Sequence, residues 1–387
     1  MEVLTRVMEL VRQNYVDGSK VGYDRLVAAA LRGMLAELDP HCQYIAPELN
    51  DQIQQPADGA ADGAGFTLAP RSGGLTVVTV REDGPAARAG LMPGDQVLKI
   101  AGVYATGATW LEALRLLRGQ PGEPLKLTTW RAATQETREL EIIRESQREE
   151  SVRDAMLLDP SLAGAAKIGY VRILQFNAPT ATELANALDR LEDQGMTALV
   201  VDLRNNPGGL LTGTVEVCGE FLPPGTIVVT TEGRDAAKNP PPLKTPARQR
   251  RARQYPMAVL VNHASASGAE LMAGALQDLG RAVIVGTTTF GKGSVQSIIP
   301  GDNRTAVRLT TAHYFTPKHR MIHEKGIVPD IMAAITYEEE TRLMEYLRSV
   351  PAGAPDPIRL AKSGDRQLER AVTALNGVLV YRAMQKK

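Results

Sequence analysis

The 387-residue chain carries no net charge, since 44 basic side chains balance 44 acidic ones. That balance gives no overall field for nucleic acid or an acidic surface to follow. Also missing is any apolar run near the ~20 residues that span a bilayer. The opening stretch, Met1 to Gly18, reads as an amphipathic helix with acids and bases throughout. It lacks the basic-then-apolar form of a secretion signal, so either the chain works in the cytosol or its export signal has been removed. Cysteine is scarce: Cys42 and Cys218 lie far apart, without metal-ligand spacing, and are expected as separate thiols, one in a loop and one in a core. The five histidines form no H-E-x-x-H or similar cluster, so no metal site is expected. No internal repeat is visible. What remains is a globular composition, 43% hydrophobic, long enough for two or three domains.

Four regions follow from the patterning. Residues 1–54 have apolar positions at helical spacing in VLTRVMELV and LVAAALRGMLAEL, stopped by Asp39-Pro40. A Pro- and Gly-containing joint leads into 55–146, where short strands (GLTVVTV, PLKLTTW, LEIIRE) surround one helix, TWLEALRLLRG. From 147 to 340 apolar strands alternate with helices, which predicts a parallel or mixed sheet covered by helices. Residues 341–387 read as a linker and a terminal helix. The fold class is therefore α/β and multidomain: a helical N-terminal region, a β-rich domain, an α/β core and a C-terminal helix.

In such sheets, ligands and catalytic groups gather at the carboxyl ends of the strands. Three loops qualify: RNNPGG after ALVVDL, HASAS after MAVLVN, and TTTFGKG after AVIVG. The last nearly matches a phosphate-binding G-x-x-x-x-G-K-[ST] loop, but Gly293 stands where a magnesium-binding hydroxyl belongs. A strand-like SVQSIIP follows it where a helix is needed. No nucleotide is expected. A serine nucleophile with a lysine base fits better. A neutral amine can take a hydroxyl proton, provided desolvation lowers the lysine's affinity for its own. Lys292 has Phe290 and glycines around it, and no acid within five residues. Ser267 directly precedes the helix that starts near Gly268, so its Oγ shares the positive helix end, whereas Ser265 faces the strand and is read as structural. Gly268 and the Gly208–Gly209 turn could supply oxyanion N–H donors. The bland alternatives are an N-cap serine, a solvated lysine and an ordinary turn.

The segments GYVRILQF, VVDLRNNPGGLL, NHASASGAELMAGALQD, GTTTFGKGSVQ and LTTAHYFTP…KGIVPDI, in this order, resemble the carboxyl-terminal processing proteases, the tail-specific serine peptidases of family S41. The likeness extends to GMLAELDPHCQYIAPE and to the middle domain, and covers most of the chain. It implies a Ser–Lys endopeptidase with a ClpP/crotonase-like core, Ser267 (followed by Glu270) as nucleophile and Lys292 as base. Gln296 is implied as a third member orienting the amine, and the oxyanion donors fall on Gly268 and either Gly208 or Gly209. No cofactor is implied. This chain departs from the pattern at Gly268, usually alanine, at Cys42, usually serine, and at TPKHRMI, usually T-P-S-G-R-x-I.

The middle domain resembles a PDZ domain. Gly63, Ala64, Gly65 and Phe66 match its carboxylate-binding loop, a nest of backbone N–H groups. Trp110, Leu114 and Leu117 on the following helix would wall an apolar slot. The partners implied are protein substrates with apolar C-termini, an adaptor, and further copies of the chain through the terminal helices, in a periplasmic or cell-envelope compartment rather than the cytoplasm. Arg131 is a candidate link between this domain and the protease site. The rival reading is a PDZ peptide-binding scaffold with a silent core.

Overall fold

The computed structural model describes residues 2–47, 50, 63–71, 74–81, 84–106, 110–145, 151–247, 252–349 and 355–385. The joint before residue 63 and the charged connector at 146–150 lie outside them.

Helices α1 (Glu2–Asn14) and α2 (Tyr23–Ala36) form as the periodicity predicts, yet α1 buries none of its residues and α2 only Leu35. Val3, Val7, Leu10 and Val16 stand exposed. After α2 the Asp39 carboxylate accepts the N–H groups of His41 (2.7 Å) and Cys42 (2.8 Å). This Asx turn starts a strand not foreseen from the sequence, β1 (Gln43–Ile45).

The middle domain is built from β2 (Phe66–Arg71), β3 (Gly74–Val80), α3 (Pro85–Arg88), β4 (Gln96–Ile100), β5 (Val103–Tyr104), α4 (Trp110–Leu117), β6 (Pro124–Arg131) and β7 (Glu136–Ile143). The strand order β2-β3-β4-β6-β7 leaves β2 on an edge. Leu68, Val77, Ile100 and Leu125 fill its core, each side chain contributing roughly 1.5–3 kcal/mol by burial.

The α/β core runs β8 (Val152–Leu157), α5 (Pro160–Ala163), β9 (Ile168–Ile173), α6 (Thr180–Asp193), β10 (Ala198–Asp202), α7 (Leu211–Gly219), β11 (Ile227–Gly233), β12 (Leu243–Lys244), β13 (Met257–Val261), α8 (Gly268–Asp278), β14 (Val283–Gly286), β15 (Ser294–Pro300), β16 (Ala306–Phe315), β17 (Ile331–Met332), α9 (Tyr337–Ser349), α10 (Pro357–Ala361) and α11 (Arg366–Gln385). Its main sheet has the order β17-β14-β13-β10-β9-β8. β9, β10, β13, β14 and β17 are parallel, and β8 is antiparallel on the edge. Both faces are covered, which is why these strands read as continuous apolar runs. Val201 and Val259 pack under α6, α7 and α8, while Val200 and Ala258 pack under α11. A buried network docks α11: Arg204 bonds Asp202 (2.6 Å) from the sheet and Asp365 (2.8 Å) at the helix start.

A second sheet carries β1-β16-β11-β12, with β15 also on β16. The predicted strand SVQSIIP is therefore real but belongs here, not with the parallel strands. Of the basic insertion at 234–254, the described residues at 234–242 are mostly exposed, as read, whereas Thr245 and Ala252 are buried and the Arg253 side chain is enclosed by Asp189, Glu192 and Glu220. No helix among the described residues is long and apolar enough to cross a membrane.

Candidate active site

Because β10, β13 and β14 are parallel neighbours, the three loops read as chemical from the sequence meet at one sheet edge. Backbone bonds stitch them together. Ala266 N donates to Asn206 O (2.9 Å), joining the serine loop to the NPGG loop. Phe290 N donates to Ser265 O (3.0 Å), joining it to the lysine loop. Ser265 is structural, as expected: its fully buried Oγ donates to Leu203 O (2.8 Å) and accepts Asn262 N (2.9 Å).

Ser267 caps α8 with φ 53° and ψ −115°, outside the regions a non-glycine residue normally occupies. Such a conformation costs on the order of 1–3 kcal/mol and is retained only where surrounding structure enforces it. The enforcing group is Glu270. Its buried carboxylate accepts Ser267 N (2.9 Å) and Lys292 N (2.8 Å) on one oxygen, and Thr289 Oγ1 (2.5 Å) and Gly291 N (2.6 Å) on the other. Four donors and no acceptor converge on it. Burial pushes this carboxyl above its ordinary range, and the hydrogen bonds pull against that shift. From the sequence Glu270 served only to mark the expected nucleophile, but in the fold it joins the serine loop to the lysine loop.

Taken as a whole residue, Lys292 is exposed. The surrounding protein still lowers its proton affinity below that of an ordinary lysine, the Arg308 charge adds to this, and Glu270 opposes it. The absence of acids nearby in sequence therefore does not hold in space.

Gly208 and Gly209, at φ 95° and 140°, turn the chain beneath Ser267. A Cβ on Gly208 would lie 2.6 Å from Gly268 N, and one on Gly209 would lie 2.0 Å from Phe176 O, so only glycine fits either place. The N–H of buried Gly208 is already donated to Asn206 Oδ1 (2.8 Å). Those of exposed Gly209 and of Gly268 meet no acceptor among the described residues. Gly268 also has a local reason. A Cβ there would sit 2.5 Å from Thr214 Oγ1, itself bonded to Leu210 O (3.1 Å). Overpacking of this kind costs about 1–3 kcal/mol. Gly268→Ala is expected to lower both urea stability and kcat/KM, and Thr214→Ala added to it should recover most of each. A double variant no better than Gly268→Ala would show that the strain lies elsewhere.

The Gln296 amide nitrogen donates to Ser294 Oγ (2.8 Å) and Thr310 Oγ1 (3.3 Å), and its oxygen accepts Arg308 Nη2 (3.4 Å). Sequence reasoning also missed His41, which precedes β1 and whose ring lies 6.2 Å from that of His323. Its ring is pushed down to about 4, mainly by burial, with Arg308, His323 and Lys292 adding and Asp39 opposing. The Asp39-Pro40 helix stop was the only signal, and it did not say where the chain turned next. Cys42 and Cys218 are both buried free thiols. The atypical TPKHRMI turn closes well: His319 takes φ 60° where the family pattern has glycine, stacks on Phe315 at 4.5 Å and meets Glu232 at 2.8 Å.

In the middle domain, Ala64 O accepts Ala86 N and Gly65 O accepts Arg81 N, which fixes the loop. The N–H groups of Ala64 and Gly65 have no acceptor among the described residues. Gly63 is packed against Glu145 O, and Phe66 is buried at the start of β2. Leu114 is half-buried on the domain core, whereas Leu117 is buried within it; the side chain of Trp110 lies outside the described residues. Ala69 and Val78 pack against Ala266, the neighbour of Ser267, and against Phe290, over which Arg71 lies at 4.7 Å. Arg131 bonds Asp95 (2.7 Å), Gly90 O (2.8 Å) and Tyr337 Oη (3.0 Å), so it ties the domain to α9, not to the dyad.

Comparison with known proteins agrees with this assembly. The signature of Peptidase family S41 matches residues 167–333 and that of a PDZ domain matches 76–131. The carboxy-terminal-processing protease of Bartonella bacilliformis is 37% identical over 331 residues, covering 84% of this chain and 73% of that protein. The carboxyl-terminal-processing protease of Synechocystis is 36% identical over 324 residues, covering 83% and 74%. The solved photosystem II D1 C-terminal processing protease superposes with a TM-score of 0.71 at 26% identity, over 95% of this chain and 98% of that one. With a PDZ domain set beside an S41 core, and relatives that span most of both chains, this protein belongs to the carboxyl-terminal processing proteases, serine-type peptidases of family S41.

Proposed function

We propose that Ser267 is the nucleophile, Lys292 its general base, and the N–H groups of Gly268 and Gly209 the oxyanion donors, in an endopeptidase that cleaves proteins presented by their C-terminal tails. The observation that carries this reading is the shared carboxylate oxygen of Glu270, which holds the backbones of Ser267 and Lys292 side by side across two separate loops. A neutral Lys292 takes the Ser267 proton as Oγ attacks the scissile carbonyl. The developing oxyanion then meets two N–H groups that have no competing acceptor. The resulting ammonium returns its proton to the leaving amine, and water repeats the sequence to release the acyl group. No step needs a cofactor.

Tail recognition falls to the middle domain. The free N–H groups of Ala64 and Gly65 suit a terminal carboxylate, and the edge strand β2 can pair with an extended peptide whose last side chain is apolar. Since Ala69, Val78 and Arg71 lie over Ala266 and Phe290, this is a resting arrangement, and tail binding shifts the domain away from the site. The uncovered apolar residues of α1 support self-association, and a cell-envelope location is part of the same reading. An adaptor that delivers substrate fits the same scheme.

The test is to incubate an unfolded protein bearing an apolar C-terminus with wild type and with Ser267→Ala. Wild type should cleave it and the variant should only bind it. Equal cleavage by both would mean a different nucleophile. Inertness of both across pH, with adaptors supplied, would favour the scaffold.

A further inference from the structure

A hairpin closes over the lysine loop. β16 ends at Phe315, the TPKHRMI turn reverses the chain, and the returning arm pairs back through a Phe315–Met321 bridge, with Thr316 N donating to Arg320 O (3.0 Å). That register sets His323 opposite His313, and their rings stack at 4.8 Å and 29°. Each arm then holds one side of Lys292. Tyr314 N, next to His313, donates to Gly293 O (2.7 Å), and Glu324 N, next to His323, donates to Gly291 O (2.9 Å). Gly291 and Gly293 are buried, although Lys292 between them is exposed. The contact is close, since a Cβ on Gly293 would lie 2.5 Å from His323 N. The spacing of the two arms therefore fixes the spacing of the two carbonyls that flank the lysine.

The stack suits neutral rings. Nδ1 of His313 and Nδ1 of His323 are both buried, with no hydrogen-bond partner among the described residues. A neutral ring can leave Nδ1 without a proton, but an imidazolium carries N–H on both nitrogens. Protonation thus creates a buried, charged donor with nothing to meet, which is costly. A second proton sets like charges face to face. Opposite His313 stand Ser294 on β15 and Glu232 on β11, whose carboxylate is engaged by His319 at 2.8 Å. Around His323, burial and His313 lower the proton affinity, while Glu324 and Asp39 oppose them. The third ring, His41, lies 6.2 Å from His323 and itself faces Asp39, Arg308 and Lys292.

We propose that the His313–His323 stack is a positioning clamp for the lysine loop, and that it holds only while both rings are neutral. When a ring gains a proton the arms part, Gly291 and Gly293 lose their fixed separation, and Lys292 moves off Ser267. Activity is then lost in acid more steeply than protonation of the lysine alone would cause. This rests on the reading of Lys292 as the base.

The experiment measures kcat/KM against pH for wild type and for the His313→Phe/His323→Phe double variant, with Lys292→Ala alongside. In parallel, hydrogen exchange at the Tyr314 and Glu324 amides, corrected for its intrinsic pH dependence, is followed in the Ser267→Ala protein. Titration of one base gives about a tenfold fall per pH unit on the acid side. Below roughly pH 6 the wild type should steepen to about a hundredfold per unit, and both amides should lose protection over the same range. The double variant keeps stacked rings that cannot titrate, so it should hold the alkaline plateau within about threefold and fall only about tenfold per unit. If it does not fold, the wild-type slope and exchange carry the test. Protection that persists to about pH 5, or a double variant as steep as wild type, overturns the clamp. So does loss of protection without steeper loss of activity, provided Lys292→Ala is dead. Activity retained in Lys292→Ala instead overturns Lys292 as the base, and the proposal with it.

Discussion

Lys292→Ala is expected to lower kcat/KM by about 10³–10⁴ near neutral pH, the upper part of what a general base contributes, while leaving the fold intact. Two further results should accompany that loss. In the wild type, kcat/KM should rise with pH as Lys292 loses its proton, reach a plateau above that point, and show a midpoint below the ordinary lysine range, because burial and Arg308 depress it. In the variant the rise should vanish. The stability consequence has the opposite sign from activity. A lysine whose folded proton affinity lies below its unfolded value penalises the fold fully at low pH, and the penalty fades as pH climbs toward the ordinary lysine range. At neutrality the penalty is present, so truncation should not lower Tm and should raise it slightly. Because Lys292 is exposed, solvent screening keeps that rise small. A marked fall in Tm would mean that Lys292 holds structure, and a retained pH rise would mean that another group is the base.

The sequence carried far because the core's strands are buried on both faces, so ALVVD, MAVLV and AVIVG are unmistakable, and their parallel order brings three loops to one edge. Ser265 and Ser267 could be told apart because one follows a strand and the other opens a helix. Contacts set by register across a second sheet were not legible. Arg308 reaches Gln296 only because β15 folds back on β16, and His41 reaches His323 only because β1 pairs with β16 from the far end of the chain. β8 was missed because Arg153 and Asp154 interrupt its apolar pattern, and a pattern is all that an edge strand offers. The contact of the middle domain with the site rests on Ala69, Val78 and Ala266, small residues that look like any interior. Direct bonding of Gln296 to the amine was a family expectation, and the hydroxyls of Ser294 and Thr310 compete for its amide here.

Glu270→Gln should be the most damaging substitution that adds no bulk. The carboxylate offers an acceptor oxygen to each of two donor pairs: Ser267 N with Lys292 N, and Thr289 Oγ1 with Gly291 N. An amide keeps one oxygen and turns an NH₂ group toward the other pair, placing donor against donor inside the protein. Leaving buried donors unmet in this way costs about 1–3 kcal/mol each, and more where the lost acceptor was charged. Either orientation of the amide releases one catalytic loop or the other. If the lysine side is lost, the strained backbone of Ser267 has no counterweight and relaxes. If the Thr289 side is lost, Gly291 shifts and carries Lys292 with it. A misplacement of about 1 Å costs on the order of 10²-fold in rate, so kcat/KM should fall by at least that much. Urea unfolding should show the loss in midpoint. The pH profile of the residual activity separates this role from that of a proton-transfer group: the rise should survive, scaled down, with its midpoint moved lower because Glu270 no longer favours the ammonium. A variant with wild-type stability but no pH-dependent rise would show instead that Glu270 takes part in proton transfer.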